Sequence, residues 1–346
     1  MARDYNEYAW HFRVLADAQR EGNLVFVLGA GIGRPYGLPD WSQLLADLLL
    51  NSGRLPRLAT RAKGPKETSE TLATERRAIR KILQRIAPDP LIQGAIARAA
   101  YPENHWHRAL HSQLWSTYQD QTSSEVLERM GRMIVRSALA REDSHISVLT
   151  FNFDDLLETH VKKALRKQNM DEAIMSSVST DEQFEQTWLI PGIFIYHLHG
   201  YLGGPRQKPD DHIDTILDAA SYVPVLSGDH WSWRCMDRVL TGTAHPSLFI
   251  GLSLADPSLR YVLTRWARWR APINGVYLAP PPELPAIVSE NEDTGTSVAE
   301  YRTVALMYRA LMDMYSTVLD EMHLVSYHLT TWDEIGDILK TVEEGL

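Results

Sequence analysis

Asn23 to Leu45 reads NLVFVLGAGIGRPYGLPDWSQLL. Leu24 to Leu28 is short, wholly apolar and ends at a glycine, the pattern of a strand buried on both faces. Gly29, Gly31 and Gly33 follow at alternate positions; Gly37-Leu38-Pro39-Asp40 then turns the chain, and Trp41 to Leu45 opens a helix. A strand feeding a glycine-rich turn is a cradle for a dinucleotide pyrophosphate, because glycine lets the backbone approach the ligand and free N–H groups point at the anion. The full fingerprint G-x-G-x-x-G is not met, since Arg34 stands where its third glycine belongs. Taken alone, the same residues also serve as a tight strand-to-helix turn with no ligand.

Bulk properties narrow the setting. The chain has 346 residues, 44% of them hydrophobic, enough for one large domain or two small ones with a sizeable core. No apolar run approaches the roughly 18 residues of a membrane helix. The opening MARDYNEYAWHFRVL carries no apolar signal core, which implies a cytoplasmic protein. A net charge of −9 argues against a general nucleic-acid surface. Cys235 is the only cysteine, so no internal disulfide can form.

Outward from the opening stretch, strands and helices alternate. Residues 5–21 read as a helix ended by Gly22, and Trp41 to Asn51 as another, before a loop over 52–69. TERRAIRKILQRIA, 74–87, is a helix with Ile79, Ile82, Leu83 and Ile86 inward, stopped by Pro88. Its polar side, Arg76, Arg77, Arg80, Lys81 and Arg85, joins Arg54, Arg57, Arg61, Lys63 and Lys66 in the one strongly positive region, a solvated face or a contact surface for an acidic partner subunit or nucleic acid. His107 and His111 have the spacing of a shared metal on a helix, but no third ligand accompanies them and a structural role is expected. A helix over 124–141 precedes a second buried strand, 146–151, and Leu156 to Lys167 forms the next helix. Further strands are expected at 193–198, 247–252, 275–279 and 324–329, with a polar stretch over 205–230, a surface loop over 280–297, and helices at 301–319 and 332–342. The pattern predicts an α/β fold with a Rossmann-like, mostly parallel sheet: a core of about 20–51 and 143–346, and a helical insertion over about 52–142.

Four strand ends then point at one crevice, where open α/β sheets bind ligands. They offer Gly29 to Gly33, Asn152 with Asp154, His199, and Gly251 with Ser253. In this order they resemble the sirtuin motifs. GAGIGRPYGLPDW is similar to GAGIS…GIPDF through Gly29, Ala30, Gly31, Ile32, Gly37, Pro39 and Asp40, with Trp41 for Phe and Ser42 where sirtuins have Arg. Phe151-Asn152-Phe153-Asp154 resembles Q-N-I-D, His199-Gly200 the catalytic H-G, and Gly251-Leu252-Ser253 the segment that holds ribose and phosphates. LTFNFDDLLE, YHLHG and LFIGLSLADP are closest in style to the sirtuin-like domains of bacterial antiphage defence proteins, which hydrolyse NAD. The four zinc-binding cysteines of deacylating sirtuins are absent, so no zinc or other metal is expected. Ala279-Pro280-Pro281 lacks the Asn that sirtuins use for adenosine.

The resemblance implies a single sirtuin-like domain over 1–346, with NAD as substrate. Gly29, Ala30, Gly31, Ile32, Pro39, Asp40, Trp41, Gly251 and Ser253 would bind it. Cleaving the nicotinamide–ribose bond passes through an oxocarbenium-like state and releases a neutral leaving group. The demand is therefore for a grip on the nicotinamide amide, a group at the ribose and a placed water. Asp154 would hold the carboxamide, Asn152 the ribose and water, and His199 would be the general base, an imidazole suiting neutral pH. Each has a plainer alternative: Asn152 and Asp154 as helix caps, with Asp155 the better cap of the two acids, and His199 as a satisfied histidine. His197 is expected on the same strand face as His199, and Asp256 mainly as the cap of a helix begun by Pro257. The implied role is the NAD-depleting effector of an abortive-infection system. It would be controlled by homo-oligomer assembly or a separate sensor subunit, Argonaute-like or a ring-forming ATPase, with no membrane and no direct nucleic-acid contact. A non-catalytic NAD or ADP-ribose module and, less favoured, a deacylase or ADP-ribosyltransferase are the alternatives.

Overall fold

The computed structural model describes residues 5–55, 65–120, 122–208, 214–242, 245–254, 256–269, 275–279, 319, 324–329 and 331–345. The loop expected over 280–297, and all but Leu319 of the helix expected over 301–319, lie outside them. Among the described residues, seven strands form one sheet: β1 Val25–Leu28, β2 His145–Thr150, β3 Met175–Val178, β4 Gly192–His197, β5 Ser247–Ile250, β6 Gly275–Ala279 and β7 Leu324–His328. Their order is β3-β4-β2-β1-β5-β6-β7, and every pair is parallel. The strands of an all-parallel sheet are covered on both sides, which is why β1, β4, β5 and β6 are buried along their whole length.

Alternation along each strand feeds two cores. Phe26 and Leu28 of β1, Ile146 and Val148 of β2 and Ile195 of β4 face one layer. That layer holds α1 (Tyr5–Glu21), α2 (Trp41–Asn51), α6 (Glu125–Ala138), α7 (Leu156–Lys167) and the last helix, α12 (Glu334–Glu344). Val25, Val27, Leu149, Tyr196 and Phe249 face the other, built on α8 (Asp181–Thr187), α9 (Ala219–Ser227), α10 (Trp231–Asp237) and α11 (Pro257–Trp269). Between α2 and α6 run α3 (Pro65–Ile86), α4 (Pro90–Ala99) and α5 (Glu103–Leu114). Leu83, Ala97, Trp106 and Leu110 from these helices join the first core.

Several expectations need correction. The segment expected as loop over 52–69 is helical from Pro65. Only Leu83 of the four apolar positions expected inward on α3 is fully buried: Ile82 and Ile86 are 57% and 66% exposed, because α3 meets the core along a narrow stripe. Arg76 is not on the solvated face; it pairs with the buried carboxylate of Asp47 on α2. Met175–Val178 is a strand that the sequence pattern hides, since only its first and last residues turn inward. The expected polar stretch of 205–230 contains α9, closed at its start by a reciprocal cap between Asp218 and Ser221 and at its end by Gly228.

Candidate active site

The connection after β1 leads to α2 and that after β2 to α7, both in the first layer. The connection after β5 leads to α11 in the second. The chain therefore changes direction between β1 and β5, the switch point where α/β sheets open a crevice. The two loops at this point are locked together. Gly29 N–H donates to Ile250 O and Gly31 N–H to Gly251 O, each at 3.0 Å. Those amides are therefore not free for an anion, contrary to the expectation for a glycine-rich turn. Gly251 has φ +70, and a Cβ there would meet Ile32 N at 2.9 Å and Gly29 O at 3.0 Å. Gly251→Ala is expected to cost about 2–4 kcal/mol, read as a lowered urea midpoint, because the backbone conformation and the contact both oppose a side chain. A loss under about 0.5 kcal/mol would mean that the loops can part freely.

The rest of the glycine turn divides by role. Residues Ala30–Tyr36 form a 3-10 turn, with Ala30 exposed and Ile32 buried. Pro39 is buried, and Asp40 caps α2, accepting from Gln43 N–H at 2.8 Å and Ser42 Oγ at 2.9 Å. Half-buried Trp41 keeps its indole Nε1 away from water with no hydrogen-bond partner. Ser253 lies exposed after Leu252.

Asn152 stands directly on the glycine turn. Its Nδ2 donates to Gly29 O at 3.2 Å, while its Oδ1 is buried without a partner. A buried acceptor of this kind costs free energy unless a donor meets it, and is a place for a ligand donor. Asp154, two residues on, is also buried. Its Oδ1 accepts from Leu156 N–H at 3.1 Å, so the side-chain bond at the start of α7 comes from Asp154; Asp155 stands at the N-cap position as expected, but its side chain makes no cap bond. Burial raises the Asp154 carboxyl to about 7, the Leu156 N–H opposes this, and the charge of Glu158 adds to it. A carboxyl raised this far by burial, two residues from an unpaired Asn152 acceptor, is a mark of a functional site.

The two histidines of YHLHG part company. β4 ends at His197, and the chain then turns through Gly200, whose φ of +104 suits glycine and whose N–H donates to His197 O. His197 consequently lies on the α7 side, fully buried, with Nδ1 donating to Asn152 O at 2.9 Å and Nε2 2.6 Å from Glu158 Oε1. His199 lies on the α9 and α11 side, 9% exposed, its ring edge-on to Phe151 at 4.9 Å. Its Nε2 is 2.9 Å from the Tyr222 hydroxyl and 3.2 Å from Asp256 Oδ2. The shared strand face expected for the pair is thus broken by the turn, and only His199 is accessible. Asp256 does cap α11, through Oδ1 to Leu259 N–H at 2.8 Å, but its second oxygen turns to His199. The sequence pattern does not single out Tyr222, because it does not reveal α9.

The crevice therefore gathers Gly29, Asn152, Asp154, His199 and Gly251, and adds Tyr222 and Asp256. His111 is elsewhere, bonded to Gly204 O at 3.0 Å. Among the described residues, no group of three His, Cys, Asp or Glu side chains could hold a metal, and no helix is long and apolar enough to cross a membrane. An open depression of about 500 Å³ lined by Asn51, Tyr101, His105 and Arg108 involves none of the strand ends.

The family model of the SIR2-like domain matches residues 146–303, a span holding Asn152, Asp154, His199, Tyr222, Gly251 and Asp256. Among curated proteins, the chain is similar to the NAD(+) hydrolase ThsA of Bacillus cereus (strain MSX-D12), 24% identical over 214 residues. That alignment covers 60% of this chain and 38% of the relative, so the chain spans well under two thirds of that protein.

Proposed function

We propose, from the match of residues 146–303 to the SIR2-like domain, that this chain is an NAD(+) glycohydrolase, releasing nicotinamide and ADP-ribose. The observation that carries the reading is the orphaned Oδ1 of Asn152, whose Nδ2 is held by the Gly29 carbonyl, with buried Asp154 and His199 following the neighbouring strands β2 and β4. These residues fit the substrate. Asn152 offers its unpaired acceptor to a ribose hydroxyl or to the attacking water. Asp154 Oδ2 donates to the carboxamide oxygen when protonated and accepts from the carboxamide NH2 when ionised. The C1′–N bond breaks with its electron pair going to nicotinamide, water adds at C1′, and His199 takes the proton released. Ala30, Ile32, Pro39, Trp41 and Ser253 would line the bound dinucleotide around the glycine turn. The wider role, also proposed, is depletion of NAD by the effector of an antiphage, abortive-infection system, with assembly or a separate sensor subunit as its control. The motif resemblance supports this role.

The test is nicotinamide release from NAD, followed by chromatography with no acylated peptide present. Asn152→Ala and His199→Ala are each expected to lower kcat by roughly a hundredfold or more while calorimetry still detects NAD binding. Wild-type release that survives in His199→Ala would remove the general-base assignment. Binding with no release, even on adding cell extract from infected cells, would favour a regulatory NAD-binding module instead.

A further inference from the structure

Asp256 does more than begin a helix. Its Oδ1 is occupied by Leu259 N–H and the Ser258 hydroxyl, which satisfies the cap. Oδ2 is left over, and it meets both His199 Nε2 and the Tyr222 hydroxyl. Tyr222 is buried at 3% exposure on the inner face of α9. Burial, and then the charge of Asp256, push its phenol far up, so it stays protonated and donates to Oδ2. Burial would also raise Asp256, but the hydrogen bonds from His199, Ser258 and Tyr222 prevail and hold its carboxyl well below the usual range. Nε2 thus faces a carboxylate oxygen and a hydroxyl oxygen whose own hydrogen is already committed. Both are acceptors, and an imidazole nitrogen between two acceptors must carry the proton. Nδ1 has no hydrogen-bond partner among the described residues, and a neutral ring protonated at Nε2 keeps its lone pair there.

We propose that Asp256, supported by Tyr222, is a positioning residue that fixes the proton of His199 on Nε2 and so makes Nδ1 the atom that receives the proton in NAD cleavage. The proposal rests on the reading of His199 as general base. It uses the logic of a carboxylate that orients a catalytic imidazole and stabilises its cationic form, with a helix cap as the anchor of that carboxylate.

Asp256→Asn separates this role from capping. Asparagine caps as well as aspartate, and the cap uses the Oδ1 position. The amide nitrogen must then occupy the place of Oδ2 and present a donor to Nε2, driving the ring proton to Nδ1. The experiment is a long-range nitrogen–proton NMR spectrum of histidine-labelled protein above pH 8 without NAD, the His199 signals being identified by their loss in His199→Gln. In the wild type, Nε2 is expected in the protonated range and Nδ1 in the lone-pair range, and the two should exchange in Asp256→Asn with the melting temperature unchanged. In Tyr222→Phe the wild-type pattern should persist. Nicotinamide release should fall about a hundredfold to ten-thousandfold in Asp256→Asn, in kcat with little change in KM. A wild-type Nδ1–H ring, or the same tautomer in Asp256→Asn, would overturn the proposal. A confirmed tautomer in a protein that never cleaves NAD would leave the positioning intact and remove only the hydrolase reading.

Discussion

Asp154→Asn is expected to make the protein more stable above pH 7 while removing most of the proposed NAD cleavage. The carboxyl of Asp154 is raised to about 7 from an ordinary 3.8, chiefly by burial. Between these values the folded chain holds a proton that the unfolded chain has released. Stability from this group therefore falls as pH rises from about 4 to about 7, and then stays level. The penalty at pH 8 is on the order of 4 kcal/mol at most, from 1.36 kcal/mol for each pH unit between the two states. Asparagine keeps an acceptor for Leu156 N–H and carries no charge to bury. Denaturant unfolding at pH 5 and pH 8 should thus show a gap between variant and wild type that widens with pH. A gap that is constant, or that narrows, would show that Asp154 ionises freely in the folded protein. The activity loss has a separate origin: an amide cannot change protonation to suit the carboxamide, and expected losses are about a hundredfold in kcat/KM. A residue that weakens the fold where it serves the site is the signature of a functional position.

Much of this arrangement was legible in the chain, and the exceptions have physical causes. The central strands announce themselves because an all-parallel sheet buries both faces, so VFVL and SLFI carry no polar residue inside the ladder except the first serine of β5. The bounds Leu156–Lys167 are equally plain, with acids before the first turn and Arg166 and Lys167 in the last. An edge strand such as Met175–Val178 needs only two inward residues, too few for a period to show. The helix α9 is built from AASYVPVLS, in which Pro224 and the exposed Val223 and Leu226 blur the pattern. Its signal lay in the cap instead, Asp218 with Ser221, and in the terminal Gly228. Missing α9 also hid Tyr222 and, with it, the second use of Asp256. Local sequence does report that Asp256 caps a helix. It does not report that the second carboxylate oxygen meets His199, because that contact depends on how α9, α11 and the end of β4 pack together.

Glu158→Gln is expected to destabilise the fold by about 3–5 kcal/mol and to disable the proposed NAD cleavage from a position outside the proposed contacts with substrate. His197 Nδ1 faces a carbonyl, Asn152 O, which can only accept. Nε2 faces Glu158 Oε1, which also accepts from Ser177 Oγ at 2.9 Å. Burial would lower His197, but the charge and hydrogen bond of Glu158, with the Asn152 carbonyl, raise it above its ordinary 6.5. With both nitrogens donating, the ring is an imidazolium paired with a carboxylate inside the core. Its contribution to stability is full below pH 6.5 and is lost as pH climbs through the raised value, so the wild type should weaken on the alkaline side where the Glu158→Gln variant does not. Removing one partner leaves a buried charge uncompensated, whereas replacing both with apolar residues of similar volume is often nearly neutral. The double variant His197→Leu/Glu158→Met is therefore expected to recover most of the stability lost by Glu158→Gln. It should not recover activity. The Asn152 carbonyl would lose its donor, and the Asn152 side chain, held at Gly29 O on one side and by this backbone bond on the other, would lose its placement. A stable double variant that cleaves NAD at the wild-type rate would show that the ion pair serves the core alone; a stable and inactive one would show that His197 holds Asn152 for its task.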